Sequence, residues 1–276
     1  MYQPHRERLS RRERLKGLPF NRMIPNILTL LALCAGLTAI RYGLEERWEH
    51  AGLALLVAAI LDGLDGRIAR VLKGASKFGA ELDSLSDFIC FGVAPALLLY
   101  MWTLSGAGRV GWVLALLFSV CCVLRLARFN TNLDETDQPA WTSNFFAGVP
   151  APAGGGLVML PMFLSFQFGE GLFRQPIIVA VFIVVVSALM VSRIPTFSFK
   201  KLRVTPRWIL PTMLLVGLFA ATLVSAPWLT MAAGGILYLA SIPFSLRSYR
   251  KLEQADGDAP EAPLVDYTGD APPPDA

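Results

Sequence analysis

The chain has 276 residues, of which 54% are hydrophobic and only 17% charged. With a mean hydropathy of +0.50, that balance excludes an ordinary soluble domain and predicts a polytopic membrane protein. The net charge of +4 does not signal nucleic acid, because the cations gather in segments between apolar runs, where they set topology.

Residues 1–22 form a basic arm with Arg6, Arg8, Arg11, Arg12, Arg14, Lys16 and Arg22. It suits either an amphipathic helix on anionic lipid or a solvated tail that fixes orientation. A secretory signal is a poor reading: the apolar run that follows is long, no small-residue cleavage site stands out, and more spans come after it.

A bilayer core takes about 20 apolar residues per helix. Eight stretches qualify, at roughly 24–43, 48–66, 80–104, 108–128, 147–168, 174–192, 207–225 and 228–246. The expected fold is therefore all-α, a polytopic integral membrane helix bundle of about eight transmembrane helices spread over a single domain, 23–251. Pro95, Pro161 and Pro243 interrupt spans, which membrane helices tolerate when neighbours satisfy the freed carbonyl. Cys34, Cys90, Cys121 and Cys122 fall in apolar runs and read as buried thiols. Residues 252–276 are acidic and proline-rich, a composition that cannot bury a core and predicts disorder.

Only Arg41, Arg47, Arg109 and Arg174 lie on the side opposite the N-terminus; the rest of the 25 Lys and Arg lie on the N-terminal side. That asymmetry predicts both termini in the cytoplasm.

At the cytoplasmic ends of the second and third spans stands Asp62-x2-Asp65-Gly66-x2-Ala69-Arg70-x8-Gly79-x3-Asp83-x3-Asp87. Residues three or four apart share a helix face. Asp62 and Asp65 therefore point one way from one helix, and Asp83 and Asp87 do so from the next. Asp-Gly is also a turn dipeptide, but a turn does not explain two carboxylates at helical spacing inside the following span. An ionisable group in a span costs about 2.5–3.5 kcal/mol on insertion scales and is usually functional. Four gathered carboxylates call for a hard divalent cation. Gly63, Gly66, Ala69, Gly79 and Ala80 leave room for close approach, and Arg67, Arg70, Lys73 and Lys77 are available to phosphates. The residues alone suggest phosphoryl transfer to an alcohol at a membrane surface, with one carboxylate accepting the proton.

That aspartate pattern resembles the signature of the CDP-alcohol phosphatidyltransferase family at every position. The resemblance implies a six-helix core, a CDP-linked donor and a pair of divalent metal ions, Mg or Mn. It further implies Asp62, Asp65, Asp83 and Asp87 as metal ligands, with Asp87 also the general base. Gly66 and Ala69 would make room for the CMP moiety, Arg70 would support the phosphates or the aspartates, and Asn26, Thr29, Lys77 and Gly79 would complete the donor site. Phe78–Asp87, Phe91–Ala96, Arg125–Asn130, Phe146–Pro152 and Pro25–Thr29 resemble the bacterial branch that joins CDP-diacylglycerol to L-serine. That likeness implies phosphatidylserine synthesis in a bacterial inner membrane, by a homodimer among membrane lipids. For serine, Arg125 and Arg128 are candidates for the carboxylate and Glu81 for the ammonium group, with Asn130 and Asn144 fainter ones. A sister enzyme using glycerol 3-phosphate or inositol phosphate is the nearest alternative. A cation transporter would need carboxylates spread through the bilayer depth, whereas these sit near one end. A non-catalytic lipid scaffold would not need the intact aspartate set.

Overall fold

The protein is described here by a computed structural model covering residues 20–72, 76–132, 145–197 and 208–257. Most of the basic arm, Lys73, Asn144 and most of the acidic tail lie outside the described residues. The described chain is almost wholly helical, as expected of an all-α membrane bundle.

Helix α1 (Phe20–Leu44) packs along α2 (Trp48–Val71). Their tight connection places Glu46 at φ 57° and is held by the Arg47 amide bonded to the Tyr42 carbonyl at 2.9 Å. Ser76 then starts α3 (Lys77–Asp87), its hydroxyl accepting from the Gly79 amide at 3.0 Å. This capping satisfies one of the amides that a helix start leaves without a partner.

After Asp87 the helix widens into a π turn, Phe88–Val93, before α4 (Ala94–Trp102) resumes. Pro95 supplies the reason: it has no amide hydrogen for the Phe91 carbonyl, and its ring crowds that carbonyl. The chain re-registers upstream rather than breaking. A single 3₁₀ turn, Leu104–Ala107, leads into α5 (Arg109–Asn132).

The fifth expected span is two helices, α6 (Ala151–Val158) and α7 (Leu160–Phe168), bent by 40° at Met159 where Pro161 follows. A short α8 (Glu170–Phe173) precedes α9 (Pro176–Val191). Helices α10 (Ile209–Ser225) and α11 (Pro227–Gly257) end the described chain, and α11 runs past residue 252 into the segment expected to be disordered.

Among the described residues, four helical stretches are long and apolar enough to cross a bilayer: Met23–Leu44, Lys77–Trp102, Arg109–Thr131 and Pro227–Arg250. The bent pair α6–α7 makes a fifth, and the apolar α9 and α10 are shorter. Helix α2 is long but carries Asp62, Asp65, Arg67 and Arg70 in its second half. Outward-facing Leu31, Leu37, Val113, Val120, Leu124, Val181, Val184, Leu214 and Phe219 form the apolar exterior that a bilayer requires. Inside, Leu98, Leu99, Phe118, Phe163, Ile183 and Met190 are fully buried.

One element has no counterpart in the expectations. Strand β1 (Phe145–Ala147), of which only Ala147 falls in the expected fifth span, pairs antiparallel with β2 (Pro195–Phe197), opposing Phe146 to Thr196. Gly148 follows β1 at φ 81°, a backbone region that suits glycine. A Cβ there would come within 2.7 Å of the Met190 and Ser192 carbonyls. Helix α11 packs on β2, and α9 packs on α5.

Candidate active site

Helices α1, α2, α3 and α5 meet around the aspartates. The Ser86 hydroxyl donates to the Thr29 carbonyl at 3.3 Å, and the Cys90 thiol to the Ala32 carbonyl at 3.3 Å. These bonds stitch the α3–π-turn face to α1. On the other side, the Asn130 amide nitrogen donates to the Ser84 hydroxyl at 3.0 Å, which ties α5 to α3.

Asp62, Asp83 and Asp87 each present a carboxylate oxygen within 4.8 Å of the others. Asp87 Oδ1 is buried and has no hydrogen-bond partner among the described residues. Three hard oxygen donors converging from two helices, one of them buried without a donor, fit a divalent cation. A buried anion needs compensation, because desolvation otherwise costs several kcal/mol per ion.

Asp65 is not in that group. It is buried, and its Oδ2 accepts a 2.7 Å hydrogen bond from the Thr29 hydroxyl. It lines, with Asp83, a cavity of about 170 Å³ whose other walls include Asn26, Thr29, Gly66, Ala69, Ser76, Gly79 and Ala80. Five of the seven residues assigned to the donor from sequence therefore share one cavity. The two others do not line it: Lys77 is exposed at the start of α3, and the Arg70 Nε donates to the Gly66 carbonyl at 2.9 Å.

The glycines divide. A Cβ on Gly66 would meet nothing within 4 Å, so this position keeps the cavity open. A Cβ on Gly79 would stand 2.9 Å from Asn26 Oδ1, so that glycine serves the close approach of Asn26 to α3.

The residues expected at the acceptor also separate. Arg125 is 6% exposed, stacks its guanidinium 5.2 Å from the Phe129 ring and lies within electrostatic reach of Asp87. Arg128 is spent elsewhere: its Nη1 donates to the Val191 carbonyl at 2.8 Å, and its Nη2 to the Ala147 and Ser192 carbonyls at 2.9 and 3.0 Å. It fastens α5 to the end of α9 and to the β ribbon, bonds that occupy the guanidinium expected to face the acceptor carboxylate. Glu81 is exposed on α3 and does not line the cavity. The residue that the sequence did not single out is Tyr238 of α11, which also acts on Arg125.

The model of a family described as CDP-alcohol phosphatidyltransferase matches residues 22–192, and a second one, CDP-alcohol phosphatidyltransferase 2, matches residues 207–243. The chain belongs to the CDP-alcohol phosphatidyltransferase family. Among its relatives, the CDP-diacylglycerol–serine O-phosphatidyltransferase of Mycobacterium leprae is 44% identical over 230 residues, 83% of this chain and 76% of that protein. The enzyme of that name from Helicobacter pylori (strain 26695) is 36% identical over 219 residues, 79% of this chain and 88% of that protein. The one from Bacillus subtilis is 36% identical over 178 residues, 64% of this chain and 92% of that protein.

Proposed function

We propose that the protein transfers the phosphatidyl group of CDP-diacylglycerol to the hydroxyl of L-serine, giving phosphatidylserine and CMP. The relatives that bear this activity in their names support it. The observation that carries the chemistry is the convergence of Asp62, Asp83 and Asp87 beside a cavity floored by Gly66.

Asp62, Asp83 and Asp87, with Asp65 beside them, are the residues that would hold divalent metal, Mg or Mn and two ions in this reading, which supplies neutralisation of phosphoryl charge. Asn26, Thr29, Gly66, Ala69 and Gly79 hold the cytidine-phosphate end of the donor, while Arg70 and Lys77 stay at the rim where phosphates enter. The acyl chains remain in the bilayer against the apolar exterior. Asp87 takes the proton of the serine hydroxyl. That oxygen forms a bond to the diacylglycerol-linked phosphorus, and the bond from this phosphorus to CMP breaks. Arg125 orients the serine carboxylate; its planar fork suits a carboxylate. Holding both substrates side by side turns a bimolecular step into an effectively unimolecular one.

The cation asymmetry supports a multi-pass protein of a bacterial inner membrane with its site and termini on the cytoplasmic face. A homodimer is part of the same reading and rests on the family resemblance.

One assay tests it: purified full-length protein with CDP-diacylglycerol, L-serine and Mg or Mn, reading CMP. Serine-dependent CMP release with phosphatidylserine as product is expected. Release with glycerol 3-phosphate or inositol phosphate in place of serine would overturn the choice of acceptor.

A further inference from the structure

The last helix carries polar groups that the aspartate site leaves unexplained. Tyr238 and Ser245 lie seven positions apart on α11, on one helix face, and both hydroxyls are buried without a hydrogen-bond partner among the described residues. A buried polar group without a partner is uncommon and asks for a reason. The Tyr238 hydroxyl stands beside that of Thr196, which gives its own proton to the Gly148 carbonyl at 2.9 Å, and a reason comes from its other neighbours. It lies within electrostatic reach of Arg125, and Arg125 in turn lies within reach of Asp87. Asp87 Oδ1 is itself buried and unpaired.

These three side chains come from three elements: Asp87 from the end of α3, Arg125 from α5, and Tyr238 from α11, which packs on β2. Linked through Arg125, they offer a proton acceptor, a fixed cation and a hydroxyl donor without a hydrogen-bond partner among the described residues. An amino-acid alcohol complements that set. Its hydroxyl proton suits Asp87, and its carboxylate suits a guanidinium and a hydroxyl donor together. A carboxylate satisfies the tyrosine donor, whereas a neutral alcohol group at the same place leaves the cation uncompensated.

Resting on the reading that serine is the acceptor, we infer that Tyr238 is a specificity-determining residue which binds the acceptor carboxylate jointly with Arg125. The C-terminal helix thereby closes the acceptor site, although it lies beyond the 22–192 match that holds all four aspartates.

The test uses the full-length protein and two acceptors, L-serine and serinol, in which a hydroxymethyl group replaces the carboxylate. CMP release gives kcat/KM for each, and a separate titration gives KM for CDP-diacylglycerol. Tyr238→Phe is expected to raise the KM for serine about ten- to a hundredfold, the loss that goes with one hydrogen bond to a charged group. It should leave the KM for CDP-diacylglycerol unchanged and lower the serine-to-serinol ratio by a similar factor. Ser245→Ala, on the same helix face, should leave the ratio at the wild-type value. Tyr238→Gln, whose shorter side chain withdraws the donor from the phenol position, stands in if the phenylalanine variant does not accumulate; it should raise the serine KM and lower the ratio in the same direction.

A wild-type ratio in Tyr238→Phe overturns the inference, as does a fall in kcat with the serine KM unchanged. If Tyr238→Gln has to be used, a wild-type serine KM together with a wild-type ratio likewise overturns it. Wild-type protein that releases no CMP with serine overturns the functional reading itself, and so separates the two failures.

Discussion

Thr29 on α1 donates a 2.7 Å hydrogen bond to Asp65 Oδ2 on α2. The bond fixes one carboxylate oxygen of Asp65 against the first helix, beside the cluster of Asp62, Asp83 and Asp87. It also sets two walls of the donor cavity, since both residues line it. Thr29→Val keeps the shape and removes the donor. The KM for CDP-diacylglycerol should rise about fivefold, from a loss of about 1 kcal/mol. Steady-state kinetics on the purified variant would show it; an unchanged KM would mean that Asp65 needs no tether.

Asp87→Asn keeps the volume and removes the proton acceptor. Turnover should fall below detection while the protein still inserts and elutes as the wild type does. Wild-type CMP release from this variant would exclude Asp87 as the base.

Gly66 and Gly79 make opposite predictions. A side chain at Gly66 meets open space, and any other residue but proline improves on glycine in a helix by up to ~1 kcal/mol. Gly66→Leu should therefore leave thermal unfolding unchanged or slightly raised while weakening the donor by about tenfold or more, the size of effect that filling a pocket produces. Gly79→Ala drives a methyl to 2.9 Å from Asn26 Oδ1. Its unfolding temperature should drop, because Asn26 and the Ser76 cap must both give way.

Arg128→Ala strips donors from the Val191, Ala147 and Ser192 carbonyls. A loss of about 2 kcal/mol in stability is expected, as for hydrogen bonds to a charged group. Once the lower stability is allowed for, the KM for serine should hold near the wild-type value. A selective rise in that KM would return Arg128 to the acceptor site.

Chelation should abolish CMP release, and Mg or Mn should restore it. Protein that keeps full activity after exhaustive chelation would deny a metal role to Asp62, Asp83 and Asp87.

Much of this was readable from residue spacing. The three- and four-residue intervals among the aspartates put each pair on one helix face, and the apolar runs placed most of the helices to within a few residues, the last running well past its expected end to Gly257. What escaped depends on contacts between distant segments. The β ribbon joins three residues at 145–147 to three at 195–197, too short for any two-residue alternation to register. Arg128 and Arg125 look alike in sequence, since the carbonyls that occupy Arg128 belong to a strand and a helix end 19 to 64 positions away. Asp65 looked equal to its three partners because Thr29, 36 residues earlier, carries no signal of pairing with it. Tyr238 sits in an apolar run with no motif around it. Proline at 95 hinted at a disturbance, but not at its form.

The widened turn at Phe88–Val93 has a consequence for how such a chain can vary. It takes up one residue more than an α-helical path of the same rise, so it works as a phase joint. Above it, Asp83 and Asp87 keep their angular aim at the second helix. Below it, Ala94–Trp102 takes the angle that its buried packing neighbours require. Changes in that packing are thus separated from the aim of the reaction centre.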